Sequence, residues 1–239
     1  ATNPAIVVMA SYHELKTALT YAIGIFNHHL GNYEKAASYL NEARQAVHER
    51  GYLYLASNIE RYLGYLANMA QQWEESQTHF EQAIHYAKAQ NQPYSWISPL
   101  LFMPVLANQR GQADEGRLYL QQAYELLQQY PDVSQEATYH GNYADLYHAQ
   151  GRWTEAFESM KKTIEIIAQQ RNPAHNYHTV GKILWQSGRY ELAKEYLERV
   201  DCTNQNDLYR PGRYWHTVWL IDFANLYVAW EQPQQALFY

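Results

Sequence analysis

In the stretch "HLGNYEKAASYLNEA", residues 29–43, Gly31 is followed by Tyr33, Ala36, Leu40 and Ala43, at steps of two, three, four and three. A helix of 3.6 residues per turn gathers the last four onto one side, with mostly polar residues on the other, so one face is built for burial. Further along, Ile59, Tyr62, Leu63, Leu66, Ala67 and Ala70 keep the same three-and-four rhythm. That rhythm predicts a second amphipathic helix, which ends where the next turn begins.

The first stretch recurs. "QQWEESQTHFEQA" starts at Gln71, "GQADEGRLYLQQA" at Gly111, "GRWTEAFESMKKT" at Gly151 and "GRYELAKEYLERV" at Gly188, and a shortened "EQPQQALFY" starts at Glu231. From Gly31 onward the starts are 40, 40, 40, 37 and 43 residues apart. Seven residues before each start stands a small or unusual residue: Gly24, Gly64, Pro104, Ala144, Gly181 and Ala224. Five residues after each start stands another: Ala36, Ser76, Gly116, Ala156, Ala193 and Ala236. Small residues facing each other let two helices approach closely, so each unit is predicted as helix, tight turn, helix.

Punctuation agrees with that reading. Glu34, Glu74, Glu75, Glu155 and Glu191 fall just past the turns, where a carboxylate complements the positive end of a helix dipole. The segments "QNQPYS", "YPDVS" and "RNPAH" place a proline after the second helix of a unit and end it. Pro99 and Pro104 fall inside a first helix, where a proline removes a backbone bond, and they predict a kink or break there. The connector from Val200 to Trp215, "VDCTNQNDLYRPGRYW", is the longest and is expected to be a mobile insertion.

The small residue, turn glycine, aromatic and alanines held in phase resemble the tetratricopeptide repeat family over nearly the whole chain. The family unit is about 34 residues; units near 40 imply longer helices, of about 17 residues and about 25 Å. Long units of this kind are similar to those in the sensor arms of bacterial signalling regulators, among them the maltose-activator type of transcription factor and peptide-sensing regulators. The resemblance implies an all-α, right-handed superhelical solenoid of about six helix-turn-helix units with a concave inner surface. The units are expected at about 11–50, 51–92, 93–131, 132–172, 173–205 and 212–239, within a single repeat domain over 1–239. The lack of an initiator Met and the end at Tyr239, inside a second helix without a polar cap, suggest a fragment of a larger protein.

Composition narrows the function. The chain is 47% hydrophobic and 18% charged, which predicts an ordered protein. Twenty-three tyrosines suit a wide surface of half-buried rings. A net charge of −6 without a basic run argues against nucleic acid, and no apolar run approaches a membrane span. The single Cys202 excludes an internal disulfide and suits a reducing, cytoplasmic setting. There is no phosphate-cradling glycine loop, nucleophile elbow or HExxH, so no enzyme activity and no cofactor are expected. Among eleven histidines, His175 with His178 and His140 with His148 sit at helical spacings, but no set has closed zinc-site spacing, so no metal is expected.

A solenoid of this family displays its first helices along the inner surface. Carried over by phase from the small residue, the candidate partner-binding residues are Tyr21, Ile25 and His28, then Asn58, Arg61, Tyr65 and Asn68. The later units offer Leu101, Val105 and Asn108, then Asn142, Asp145 and His148, then His178, Lys182 and Trp185, and last Ile221 and Asn225. The asparagines can bond a ligand backbone, Tyr65 and Trp185 can hold an apolar side chain, and Arg61 and Lys182 can pair with carboxylates. The family's carboxylate clamp is disfavoured, because Arg61 is the only basic residue near its positions and Tyr65 and Phe102 stand where Asn is wanted. The expected function is a protein-interaction module binding a peptide or helical segment. The alternative is a ligand- or peptide-sensing arm of a signal-transduction ATPase or transcription regulator.

Overall fold

The computed structural model of the chain describes residues 4–168, 174–200 and 212–237, with side chains described over 11–168, 176–200 and 219–237. Twelve α-helices lie within the described residues: α1 (Pro4–His29), α2 (Tyr33–Arg50), α3 (Ala56–Met69), α4 (Trp73–Ala89), α5 (Tyr94–Gln109), α6 (Ala113–Gln129), α7 (Val133–Ala149), α8 (Trp153–Ile167), α9 (Ala174–Gln186), α10 (Tyr190–Glu198), α11 (Gly212–Ala229) and α12 (Pro233–Ala236). A 3-10 turn, Leu53–Leu55, leads into α3, and no strand occurs among the described residues. Each odd-numbered helix packs on the even-numbered helix after it, giving six hairpins.

The hairpin turns are copies of one another. Gly31, Gln71, Gly111, Gly151, Gly188 and Glu231 all have φ between 58° and 80°. The next amide in each turn bonds back to a carbonyl five residues earlier: Asn32 to Asn27, Gln72 to Ala67, Gln112 to Ala107, Arg152 to Tyr147, Arg189 to Leu184 and Gln232 to Tyr227, all at 2.8–3.0 Å. This is the Schellman closure of a helix, which needs a left-handed residue and therefore favours glycine. Gln71 and Glu231 hold the same conformation with a side chain attached.

The close approach expected at the small residues is real. A Cβ added at Gly24 would sit 2.8 Å from Leu40 Cγ, at Gly64 3.0 Å from the Phe80 ring, and at Gly181 2.5 Å from Leu197 Cγ. On the facing helices Ala36, Ser76, Ala156 and Ala193 are fully buried. The Ser76 hydroxyl donates to the Gly64 carbonyl at 2.8 Å, which removes the cost of burying it.

The helices group into two compact units, Ala1–Tyr130 and Pro131–Tyr239. In the first, Leu40, Ala43 and Val47 of α2 close on Leu55, Ile59 and Leu63, and Phe80 of α4 closes on Met103 and Leu106 of α5. In the second, one core joins Met160 and Ile164 of α8, Ile183 and Leu184 of α9, Leu197 of α10 and Phe223 of α11. Each such side chain contributes about 1.5–3 kcal/mol of burial. Glu60 and His79, both buried in the first unit, satisfy each other at 2.6 Å.

The break that Pro99 and Pro104 allowed for does not occur. α5 runs unbroken from Tyr94 to Gln109 with Pro99 and Pro104 inside it, both buried. A proline in a helix interior costs about 3 kcal/mol, whereas Ile97, Leu100, Leu101, Met103 and Leu106 on the same helix are all buried. At about 1.5–3 kcal/mol each, their packing outweighs two lost backbone bonds. The connector expected from Val200 to Trp215 falls outside the described residues over 201–211, as do Cys202 and the His175 side chain.

α1 also carries an apolar stripe that no described residue covers: Tyr12, Leu15, Leu19 and Phe26 are 58–69% exposed. Forty residues on, the same register is occupied by Tyr52, Leu55, Ile59 and Leu66, which lie in or against the cluster shared with α2. No described helix is long and apolar enough to cross a membrane.

Candidate functional site

In the first unit the candidate residues of α1 and α3 gather with a neighbour that the sequence had assigned to the core. Arg61 donates to Asn58 Oδ1 at 3.1 Å and lays its guanidinium over the rings of Tyr62 and Tyr65, at 4.6 and 5.8 Å from the centroids. His28 meets Tyr62 edge-on at 5.5 Å and Tyr65 at 6.3 Å, and Tyr21 meets Tyr62 at 6.3 Å. The Tyr65 hydroxyl shares a hydrogen bond with Ser98 of α5 at 2.9 Å, and its ring leans on Phe80 and Phe102 at 5.3 and 5.0 Å. A cation over two rings is attractive by about 0.5–2 kcal/mol, so the guanidinium is held in place.

His28 Nδ1 in this cluster, and Asn68 Oδ1 one turn further along α3 from Tyr65, are buried without a hydrogen-bond partner. Burial lowers the His28 pKa, with the His29 and Arg61 charges adding to the effect, so the ring is neutral at pH 7. Burial pushes the Tyr21 hydroxyl up to about 12, so it stays protonated. The cluster therefore carries one fixed positive charge, on Arg61, framed by aromatic edges and by amide and imidazole groups.

In the second unit the candidates are placed more variously. Asn142 is buried, and Asp145 is partly exposed. His148 is half-buried, its Nε2 paired with Gln186 Oε1 and its ring against Trp153. His178 is buried and paired with the Asp222 carboxylate of α11. Lys182 is exposed, and Trp185 packs against the core with its indole Nε1 unbonded.

Asn142 and Asp145 border a recess of about 260 Å³ between α7, α8 and α9, which the sequence reading missed. Its other polar lining comes from Thr138, Thr163, Asn176 and Thr179. The signal lay in the register. Asn142 and Thr179 stand where the second and third repeats have Tyr62 and Phe102, and Gly141 stands where they have Arg61 and Leu101. Small polar side chains at positions that elsewhere hold large ones leave a hole. Burial of the carboxyl group itself by the surrounding protein raises the Asp145 pKa to about 6, against the opposing charges of His148 and Lys182.

The sequence profile of the tetratricopeptide repeat matches residues 105–169 and 135–200. No curated protein matches the chain. Among solved structures, the chain is similar to a Rap protein complexed with competence and sporulation factor, at 13% identity over 94% of this chain and 72% of that one, with a TM-score of 0.73. It is also similar to PilW, a type IV pilus biogenesis factor, at 13% identity over 92% and 89% of the two chains, with a TM-score of 0.67. A third similar structure is pilF of Pseudomonas aeruginosa, at 12% identity over 94% and 89%, with a TM-score of 0.63. At these identities the likeness is one of fold. Residues 105–200 are tetratricopeptide repeats by sequence, and the remaining described hairpins share the fold of these solved structures.

Proposed function

We propose that the chain is a protein-interaction module whose first helices hold a segment of a partner protein, either extended or helical. The observation that carries this reading is the Arg61 cluster. A guanidinium over the rings of Tyr62 and Tyr65 beside Asn58 has no counter-ion among the described residues, and His28 Nδ1 in the same cluster and Asn68 Oδ1 further along α3 have no bond. A partner carboxylate or backbone amide group supplies what those atoms lack, and the rings supply an apolar floor. Tyr21, Asn58, Arg61, Tyr65 and Asn68 are the contact residues proposed in the first unit, and Asp145, His148, Lys182 and Trp185 those in the second. The chain's charge of −6 favours protein or peptide over nucleic acid.

A second reading, a peptide-sensing arm of a signalling regulator, is favoured by the likeness to the Rap protein complexed with competence and sporulation factor. Both readings use the same faces. They differ in that a sensor changes global shape when its peptide binds and a scaffold does not.

The test is capture from native lysate by the wild-type chain, by Arg61→Ala/Asn68→Ala, and by a Gln82→Ala/Glu125→Ala control on second helices. A partner retained by the wild type and the control but lost by the first variant supports the proposal. A partner held equally by all three refutes the first-helix assignment. Small-angle scattering with and without the captured segment separates scaffold from sensor.

A further inference from the structure

We propose that the recess between α7, α8 and α9 is a subsite for a primary ammonium group, from a peptide amino terminus or a lysine side chain, with Asp145 as its counter-ion. The recess lies within the second unit, and the inference does not depend on the Arg61 cluster.

The chemistry of the lining carries it. The Asp145 carboxylate forms no hydrogen bond or ion pair with any described residue; His148 of α7 and Lys182 of α9 act on it only at longer range. The Thr163 hydroxyl shares its one hydrogen between the Ala137 and Ser159 carbonyls at 3.2 and 3.3 Å, which leaves its lone pairs as acceptors. The Asn176 amide nitrogen donates to Met160 Sδ at 3.6 Å, which leaves its amide oxygen free to accept. Acceptors from three helices thus border a space of about 260 Å³ next to a negative charge.

An anionic ligand is repelled there. A quaternary ammonium is not matched either, because it needs an aromatic cage and no ring lines the recess. A primary ammonium offers three donors and no acceptor, the complement of this lining. At about 30 Å³ per displaced water, the space takes the ammonium and a short stem. The Lys182 charge, which already acts on Asp145, competes with such a ligand.

Binding is expected to weaken as pH falls through about 6, where Asp145 takes up its proton. His148 and Lys182 are the titratable groups acting on that carboxyl from α7 and α9; α8 adds Met160, Thr163 and Ile167, none of which titrates.

The experiment is ligand-observed NMR titration of the whole chain at pH 7.5 with glycinamide, N-acetylglycinamide, Nα-acetyl-lysinamide and methylguanidine. Saturation by glycinamide or Nα-acetyl-lysinamide, and none by N-acetylglycinamide, supports the subsite, and the preferred amine names its source. Asp145→Asn is expected to weaken amine binding about tenfold or more, the value of one charge-assisted hydrogen bond. Lys182→Ala is expected to tighten it, and Gly141→Ala to weaken it by filling the recess without unfolding α7. Equal binding of the acetylated compound, an unchanged Asp145→Asn, or tighter binding of methylguanidine overturns the proposal. Loss of amine binding alongside intact partner capture by the Arg61 face removes this subsite alone; the reverse pattern removes only the first-unit reading.

Discussion

Four helix-interior glycines give a prediction whose sign differs from site to site. In a helix interior, alanine is favoured over glycine by about 0.5–1 kcal/mol from propensity alone. At Gly141 the nearest atom to an added Cβ is Thr163 Oγ1 at 3.8 Å, an ordinary contact, so Gly141→Ala should stabilise by about that full amount. At Gly181 the methyl would lie 2.5 and 2.6 Å from Leu197 Cγ and Cδ2 and 3.4 Å from the Ala193 carbonyl. Leu197 is fully buried and has nowhere to turn. Overpacking of this kind costs about 1–3 kcal/mol, so the net for Gly181→Ala is a loss of about 1–2 kcal/mol after the propensity gain. Gly24, at 2.8 Å from Leu40 Cγ, and Gly64, at 3.0 Å from a Phe80 ring wedged against Tyr65 and Phe102, should lose about 1 kcal/mol. Urea denaturation followed by far-UV circular dichroism reads these differences. With a slope of about 2–3 kcal/mol/M, 1 kcal/mol moves the midpoint by about 0.3–0.5 M. A Gly181→Ala midpoint above wild type, level with that of Gly141→Ala, would refute the close-packed account of the hairpins.

Three further outcomes follow from the same coordinates. Gln71 occupies the left-handed turn position at φ 61° that four other repeats give to glycine, so Gln71→Gly should raise the urea midpoint by about 0.5–1 kcal/mol equivalent, despite the extra freedom of the unfolded chain. Leu19 and Ile59 share one repeat register, yet Leu19 is 58% exposed and Ile59 fully buried; Ile59→Ala should cost about 2–4 kcal/mol and Leu19→Ala under about 0.5, read by thermal melts. Asp145 has a folded pKa near 6, above its unfolded value, so the folded state binds the extra proton and stability falls as pH rises from about 4 to about 6. Asp145→Asn should therefore melt higher than wild type at pH 7.5 and level with it at pH 4; a gap of the same size at both values would contradict the shift.

The six turns and the small-residue crossings were legible in the sequence because each rests on a local requirement repeated at fixed spacing. A left-handed φ favours glycine at Gly31 or Gly111, and close helix contact requires a small residue at Gly24 or Gly64. The continuity of α5 was not, since local rules for Pro99 and Pro104 take no account of the buried side chains packed along the same helix. Site residues were readable to the extent that repeat phase fixes direction. Phase placed Asn58, Arg61, Tyr65 and Asn68 on one face of α3, but it left out Tyr62, whose ring is the closest partner of the Arg61 guanidinium. It also pointed to His178 without showing that Asp222, forty-four residues on, would bury it in a pair. The recess was invisible because a cavity is made by what is missing: Gly141, Asn142 and Thr179 look unremarkable singly and matter only against the larger residues of neighbouring repeats.

The central claim is that partners meet the first-helix faces. The most direct test places a photo-cross-linking amino acid at Tyr65 on α3 in one protein and at the exposed Tyr124 on α6 in another, then irradiates each with the captured partner. The account predicts adducts from position 65 and none from position 124. Adducts from 124 alone would move the interaction to the second helices and contradict it.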